Sequence, residues 1–459
     1  MGKKHRCLCR QSSCAKEGLP GQVGILSDKT VQFVSNPAAF VERSCEELGS
    51  RVFACRLATK QTIVLADHAA ITEFLATSQK HFRTGLSDFS ELMPGIMFSD
   101  EATALELKKI LLPLFSSEAV ASYQPVLVRE LQSWSRNLDT AASLHLYEEF
   151  KNLSLAYNVN IFMGVDKETS PQLFSRIKEL ASTHWHGFVS LPTSFSVPFL
   201  GQGGYRRAME ARAQLLAIIK AELAATGSSF FDKFRLSLEC DVMTEELLYN
   251  HMLMFSCALI PKAVGSVLVM FLETMDKWRH LQREDGTLAE ADLEAVLLEV
   301  MRLYPPFIGN IKIATEEASV GGYCCPAGTA VYYSFMGAMR DPATFPHPDQ
   351  FQPDRWRHSG QDKGILRTLK VCGHSEGWVT LLMVHSRRGV LSPGLGRRPP
   401  QLRGPGAELA DAADRGLARP RHLHRDAGPR ARGRGHGGQT SARPPPQHPG
   451  CIYIETKIV

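Results

Sequence analysis

The chain has 459 residues, 44% of them hydrophobic, which is enough to bury a substantial core and excludes a fibrous or wholly unfolded protein. Its net charge of +5 is concentrated in one place: between Arg387 and Arg443 stand 13 arginines and no lysine against four acids, a local excess of +9 that leaves the remainder at −4. A basic, nucleic-acid-binding body is therefore not expected, and the 11 scattered cysteines with no signal peptide before them read as free thiols in a reducing compartment.

Taken in chain order, residues 1–18 form a basic leader, MGKKHRCLCRQSSC at its start, expected to lack fixed structure; its Cys7, Cys9 and Cys14 could carry palmitate, and the myristoylation pattern fails. A Pro/Gly entry loop, LPGQVGILSD, precedes a helical pattern over 36–48. Two β-rich runs, RVFACRL and QTIVLAD, follow, and AAITEFLATS returns to helix. Amphipathic patterns then succeed one another over 105–114, 120–138, 144–162, 170–183 and 206–225, and helices predominate as far as Leu303. The stretch 252–272, MLMFSCALIPKAVGSVLVMFL, is apolar enough to suggest a membrane span. Pro261 and Lys262 at its centre favour a buried core helix, because a charge facing lipid is costly. Beyond Pro306 the texture changes to short strands and turns, with Gly321-Gly322 and Pro326-Ala327-Gly328 as turn chemistry. No Phe occurs after Phe351, and from 387 to 450 the chain is dominated by Arg, Gly, Pro, Ala and Leu. Such a tail cannot bury enough apolar surface to offset the entropy of ordering it and is expected to be disordered.

The chemistry is carried by LEVMRLYPP, residues 298–306. Glu299 and Arg302 stand one helical turn apart among Leu297, Leu298, Val300, Met301 and Leu303, so both charges are expected to be buried. Stranding one member of a buried pair costs about 3–5 kcal/mol, so a third partner is needed. The proline-punctuated run RDPATFPHPDQFQPDRW offers Arg355.

With Glu299, Arg302 and Arg355 in this order, and GGYCCPAGTAVYYS between them, the chain resembles the cytochrome P-450 superfamily, the haem-thiolate monooxygenases. The resemblance covers roughly 19–356 and implies a mainly α fold with small β-sheets (α+β) around a haem, with the three charges locking the loop ahead of the haem ligand. It divides the chain into a leader (1–18), a cytochrome P-450-like but incomplete catalytic domain (19–356) and an aberrant tail (357–459). It also implies a lipophilic substrate, retinoid- or sterol-like, and electrons from an NADPH-dependent reductase or a ferredoxin. PFLGQGGYRRAMEARAQLL, AMRDPATF and LKKILLPLFSSEAV are similar to the retinoic-acid-hydroxylating branch. In the last of these, Lys108 and Lys109 fall where the family often places cations for the haem propionates; a solvated helix face explains two lysines equally well. The helix around Ala258 is expected to overlie the haem. The family implies the endoplasmic reticulum membrane, or the mitochondrion; with no anchor visible in residues 1–18, a cytoplasmic protein is the other expectation.

Two departures from the family matter. Where its central helix carries an acid and a hydroxyl for proton delivery, this chain has Ala258-Leu259-Ile260-Pro261-Lys262. A positioned proton donor is worth about 10²–10⁴ in rate, so ordinary oxygen activation is in doubt while peroxide isomerisation stays open. After Trp356 there is no Phe/Trp-Gly-x-Gly-x-Arg-x-Cys-x-Gly loop to supply the thiolate. Cys372 and Cys451 lack that setting, so no metal ligand is assigned and haem is not expected to be retained. GLGRRPPQLRG, residues 394–404, read from the second base of each codon, nevertheless permits Trp-Gly-x-Gly-x-Arg-x-Cys-x-Gly at the correct spacing. The expectation is therefore an altered exon boundary after about residue 356 followed by translation in a shifted frame. A catalytically dead interaction protein, with RARGRGHGG (430–438) as an RNA-binding tail, is the reading from another class. Sequencing the transcript across codons 356–404 distinguishes these readings. The frame-shift account predicts an in-frame haem-ligand motif in an alternative transcript, and a single uninterrupted frame with no such alternative contradicts it.

Overall fold

The computed structural model describes residues 18–57, 60–77, 81–85, 90–96, 98–99, 101–138, 145–187, 204–258 and 260–357. The leader and tail expectations, together with Cys372 and Cys451, lie outside these residues.

Fourteen helices are described. Two short opening helices, α1 (Thr30–Ser35) and α2 (Pro37–Leu48), lead through the hairpin of β1 (Val52–Leu57) and β2 (Lys60–Leu65) to α3 (His68–Thr77). The helical layer comprises α4 (Glu101–Leu111), α5 (Ser117–Leu138), α6 (Leu146–Met163), α7 (Pro171–His186), α8 (Gly204–Ala225), α9 (Ser229–Arg235), α10 (Glu245–Leu253) and α11 (Ile260–Glu273). The one-turn α12 (Met275–Trp278), then α13 (Glu290–Leu303) and α14 (Phe335–Met339), complete the set.

The ends of these helices follow from their local chemistry. Asn36 accepts a hydrogen bond from the amide of Ala39 and Pro37 opens α2, which closes on Gly49 at φ +58°. Ser228 and Thr244 cap α9 and α10 through the amides of Phe231 and Leu247. The expected 105–114 helix starts four residues earlier, and its end tightens into a 3₁₀ turn at Leu112–Phe115, where Pro113 has no amide to continue the α ladder.

One five-stranded sheet runs in the order β1 (Val52–Leu57), β2 (Lys60–Leu65), β7 (Ala330–Ser334), β4 (Gly309–Ala314), β3 (Phe82–Thr84). β2 and β7 are parallel, with Thr62 opposite Ala330 and Leu65 opposite Tyr333, and this pairing joins the start of the chain to its strand-rich end. A small hairpin of β5 (Ala318–Val320) and β6 (Tyr323–Cys325) turns at Gly321 and Gly322, both at positive φ.

Two cores result. The helical core is organised by aromatic rings: Phe230, fully buried, meets Phe162 edge-on at 4.6 Å and also contacts Phe115, Tyr123, Phe234 and Phe255. The second core packs α13 and α14 against the sheet. α11 lies along α6 so closely that a Cβ on Gly265 would stand 3.1 Å from the amide nitrogen of Lys151. The stretch Glu245–Glu273 is apolar and long enough to cross a membrane by composition, but 80% of its most apolar window is buried inside the fold. Phe230→Ala is predicted to cost about 3–5 kcal/mol, read as a lower urea-unfolding midpoint at unchanged slope.

Candidate functional site

Glu299 and Arg302 lie in the C-terminal half of α13, where every residue from Ala295 to Leu303 is buried, and both have 0% exposure. The helix ends at Tyr304, and the chain then passes through Pro305 and Pro306, so the segment that returns over α13 arrives from β7 and α14 rather than from the helix itself. Arg302 meets Glu299 as a two-pronged pair, Nε to Oε2 at 2.9 Å and Nη2 to Oε1 at 2.8 Å. Its remaining donors reach the carbonyls of Met339 (2.8 Å), Pro348 (2.7 Å) and Gln350 (3.1 Å), so all five guanidinium N–H groups are used. The guanidinium also lies 5.3 Å from the centre of the Phe345 ring.

Glu299 is equally saturated. Beyond Arg302 it accepts from the amide of Gln352 (2.8 Å), the Trp356 indole N–H (2.9 Å) and Arg355 Nε, 3.2 Å from Oε2 and 3.3 Å from Oε1. Arg355 keeps its other nitrogens on the Pro346 carbonyl and Gln352 Oε1. Burial lowers the pKa of Arg355, opposed by the attraction of Glu299, while Arg302 adds to the lowering. The structure thus brings together the three charges named from sequence and adds Trp356 and the amide of Gln352. Those two partners are invisible to charge-pattern reading, although Trp356 directly follows Arg355.

A second charged knot fastens the same segment to the sheet. Arg51 donates to the carbonyls of Ala66 (3.1 Å) and Gly337 (2.7 Å) and lies 3.8 Å from Asp341. Asp341 in turn accepts from the amide of His68 at the start of α3.

The long apolar run is not one continuous α-helix. Between α10 and α11 the backbone widens into a π turn over Met254–Ala258, so Ala258 closes the distortion, and α11 restarts with Pro261 in its first turn, where its missing N–H costs least. Lys262 is buried with its ammonium nitrogen 4.4 Å from the Trp185 ring centre. Burial, helped by the nearby Lys151, lowers its pKa well below the ordinary lysine value. Ser256 contributes the hydroxyl of the π turn, bound to the Met252 carbonyl at 2.7 Å.

Lys109 is exposed on α4, pairs with Glu106 at 2.6 Å and borders an open groove of about 1030 Å³ lined also by Lys233, Leu236 and Cys240. Lys108 is half-buried on the same helix, and among the described contacts neither lysine is bonded to α10, the π turn or α11.

A haem-thiolate bond requires a cysteine whose ionised form is favoured. Burial pushes the thiols of Cys45 and Cys257 up to about 11 and those of Cys55 and Cys325 up to about 12. None of these four cysteines lies in the segment that follows Arg355, where the resemblance expects the haem ligand.

Comparison with known proteins points one way. The family model for cytochrome P-450 matches residues 292–370, which include all but the first two residues of α13 and the whole charged knot. Cytochrome P-450 26B1 of Danio rerio is 28% identical over 287 residues, 54% of each chain. A putative cytochrome P-450 120 of Synechocystis is 23% identical over 370 residues, 74% of this chain and 80% of that one. The chain therefore spans about half the length of the first of these relatives. A solved retinoic-acid-bound cyanobacterial cytochrome P-450 shares the fold with a TM-score of 0.64 at 21% identity, over 79% of this chain and 89% of the other. Glu299, Arg302 and Arg355 converge within the stretch 292–370 that matches the cytochrome P-450 family, and the chain shares its fold with solved cytochrome P-450 structures.

Proposed function

We propose that this chain derives from a haem-thiolate monooxygenase that inserts one oxygen atom of dioxygen into a lipophilic, retinoid- or sterol-like molecule, and that the product itself does not carry out the reaction. The observation that supports the lineage is the saturated knot around Glu299, which fixes residues 345–357 against α13 in the segment immediately ahead of the expected haem-ligand loop. The retinoid preference draws support from the retinoic-acid-bound structure that shares the fold. Under this reading 19–356 is the catalytic body, and a reductase or ferredoxin is the electron donor of the parent enzyme.

Haem is the family's cofactor, and bound through a cysteine thiolate it supplies oxygen activation. This chain offers part of the surroundings. The π turn and α11 supply the wall expected above the porphyrin, and the knot holds the approach to the ligand loop. The thiolate is what it does not offer: no ligand-loop pattern follows Trp356. In the distal wall, Pro261 and Lys262 stand where a proton-delivering acid and hydroxyl are expected, and Lys262 is directed onto Trp185.

The absorption spectrum of the protein expressed with haem supplied, reduced and treated with carbon monoxide, tests the reading. The expectation is no thiolate-type band. Such a band, abolished by replacing one cysteine, overturns the claim that this product lacks a ligand. The lineage claim is tested separately by rejoining residues 1–356 to the shifted-frame sequence, which is expected to restore the band.

A further inference from the structure

The segment Glu91-Leu92-Met93-Pro94-Gly95-Ile96 has no helix or strand of its own, yet Leu92, Met93 and Ile96 are buried in the helical core. Three helices hold it. Tyr205 of α8 donates to Glu91 at 3.3 Å. His184 of α7 donates from Nε2 to the Leu92 carbonyl at 2.8 Å. On α10, His251 uses Nδ1–H on the Leu247 carbonyl at 2.8 Å, which leaves Nε2 as an acceptor, and the Ile96 amide donates to it at 3.2 Å.

An independent feature marks the same contact. Gly95 has φ +143°, and a Cβ there would stand 3.1 Å from His251 Nε2, so the strap is shaped to lie against that ring. Both histidines have 0% exposure, and burial lowers each to about 4. The charged groups facing His184 are Lys262 of α11 and Arg212 of α8, which add to the lowering, against the Leu92 bond, which opposes it. Around His251 lie the rings of Phe234 and Phe255, and the influence opposing burial is its bond to Leu247. Protonating His251 places a hydrogen on Nε2 facing the Ile96 N–H and turns an acceptor into a donor.

We propose that His184 and His251 act as paired positioning residues, a latch that holds the 91–96 strap over the interior beside the π turn while both rings are neutral and opens as they take up protons, His251 because its Nε2 can no longer accept from Ile96, and His184 because its charge, still bonded to Leu92, is hydrated only when the strap lifts. Phe255 of that turn lies 6.0 Å from the His251 ring, so release uncovers the helical core next to the distortion. The latch does not depend on whether haem is held.

Hydrogen exchange on the full chain reads it. With the intrinsic pH dependence of exchange removed, the opening that exposes the Ile96 amide is expected to grow by about 100-fold per pH unit between pH 6 and about 4. Two rings with ordinary values near 6.5 take up protons together on release, while the amides of β7 stay protected. A slope of about tenfold or less, or β7 opening in step with Ile96, overturns the paired latch. His251→Gln, which retains an acceptor, is expected to keep Ile96 protected at pH 7 and reduce the slope to about tenfold. His251→Phe, of similar size without an acceptor, is expected to lose that protection. Protection retained in the Phe variant, or an unaltered slope in the Gln variant, contradicts the role given to His251. If the Phe variant does not fold, the wild-type slope and the Gln variant decide.

Discussion

A carboxylate with no access to water must have its lone pairs filled by protein, and Glu299 sets that requirement for the whole strand-rich half of this molecule. Its partners come from its own helix, from a loop amide, from Arg355 and from an indole. Arg302 extends the demand in the other direction, because its five donors are met only if the carbonyls of Met339, Pro348 and Gln350 are delivered to one point. Two charged residues one turn apart on α13 therefore dictate the path of the chain from α14 to Trp356. The energy involved is largely that of avoiding stranded charge, which makes the arrangement a positional lock more than a source of net stability.

The same logic of burial governs the central helix. A charged lysine inside an apolar helix is costly, and here its amine is pressed on Trp185 and held well below the usual lysine pKa. The π turn and Pro261 break the helix just ahead of Lys262, where the proposed reading expects a proton-delivering acid and hydroxyl. The charged lock similarly persists beside a segment in which no ligand loop is recognisable. Both are what the proposed reading expects of a scaffold retained without its catalytic groups.

Much of the body was legible because its signals are local. The 3.6-residue periodicity of α5 to α8, the Asn36-Pro37 start of α2, and the two β-rich runs that become β1 and β2 are all written within short windows. The three-residue β3 was not read, because Phe82–Thr84 is a strand only through pairing with β4, over 200 residues away. The six-residue α1 was too short to show a period. In the site, Glu299, Arg302 and Arg355 could be paired because isolated charges in apolar surroundings need partners. Trp356 could not, since an indole donor carries no charge signal. His184 and His251 escaped for a related reason: their partners are main-chain groups of the strap, and main-chain groups leave no trace in residue identity.

The central claim is that one occluded carboxylate organises residues 345–357. The most direct measurement combines urea unfolding with hydrogen exchange on the Glu299→Gln chain, which is nearly isosteric and removes only the charge and part of the accepting capacity. The account predicts a loss of about 3–5 kcal/mol together with rapid exchange of the Gln352 amide and the Trp356 indole N–H. A loss under about 1 kcal/mol with both protons still protected would contradict it.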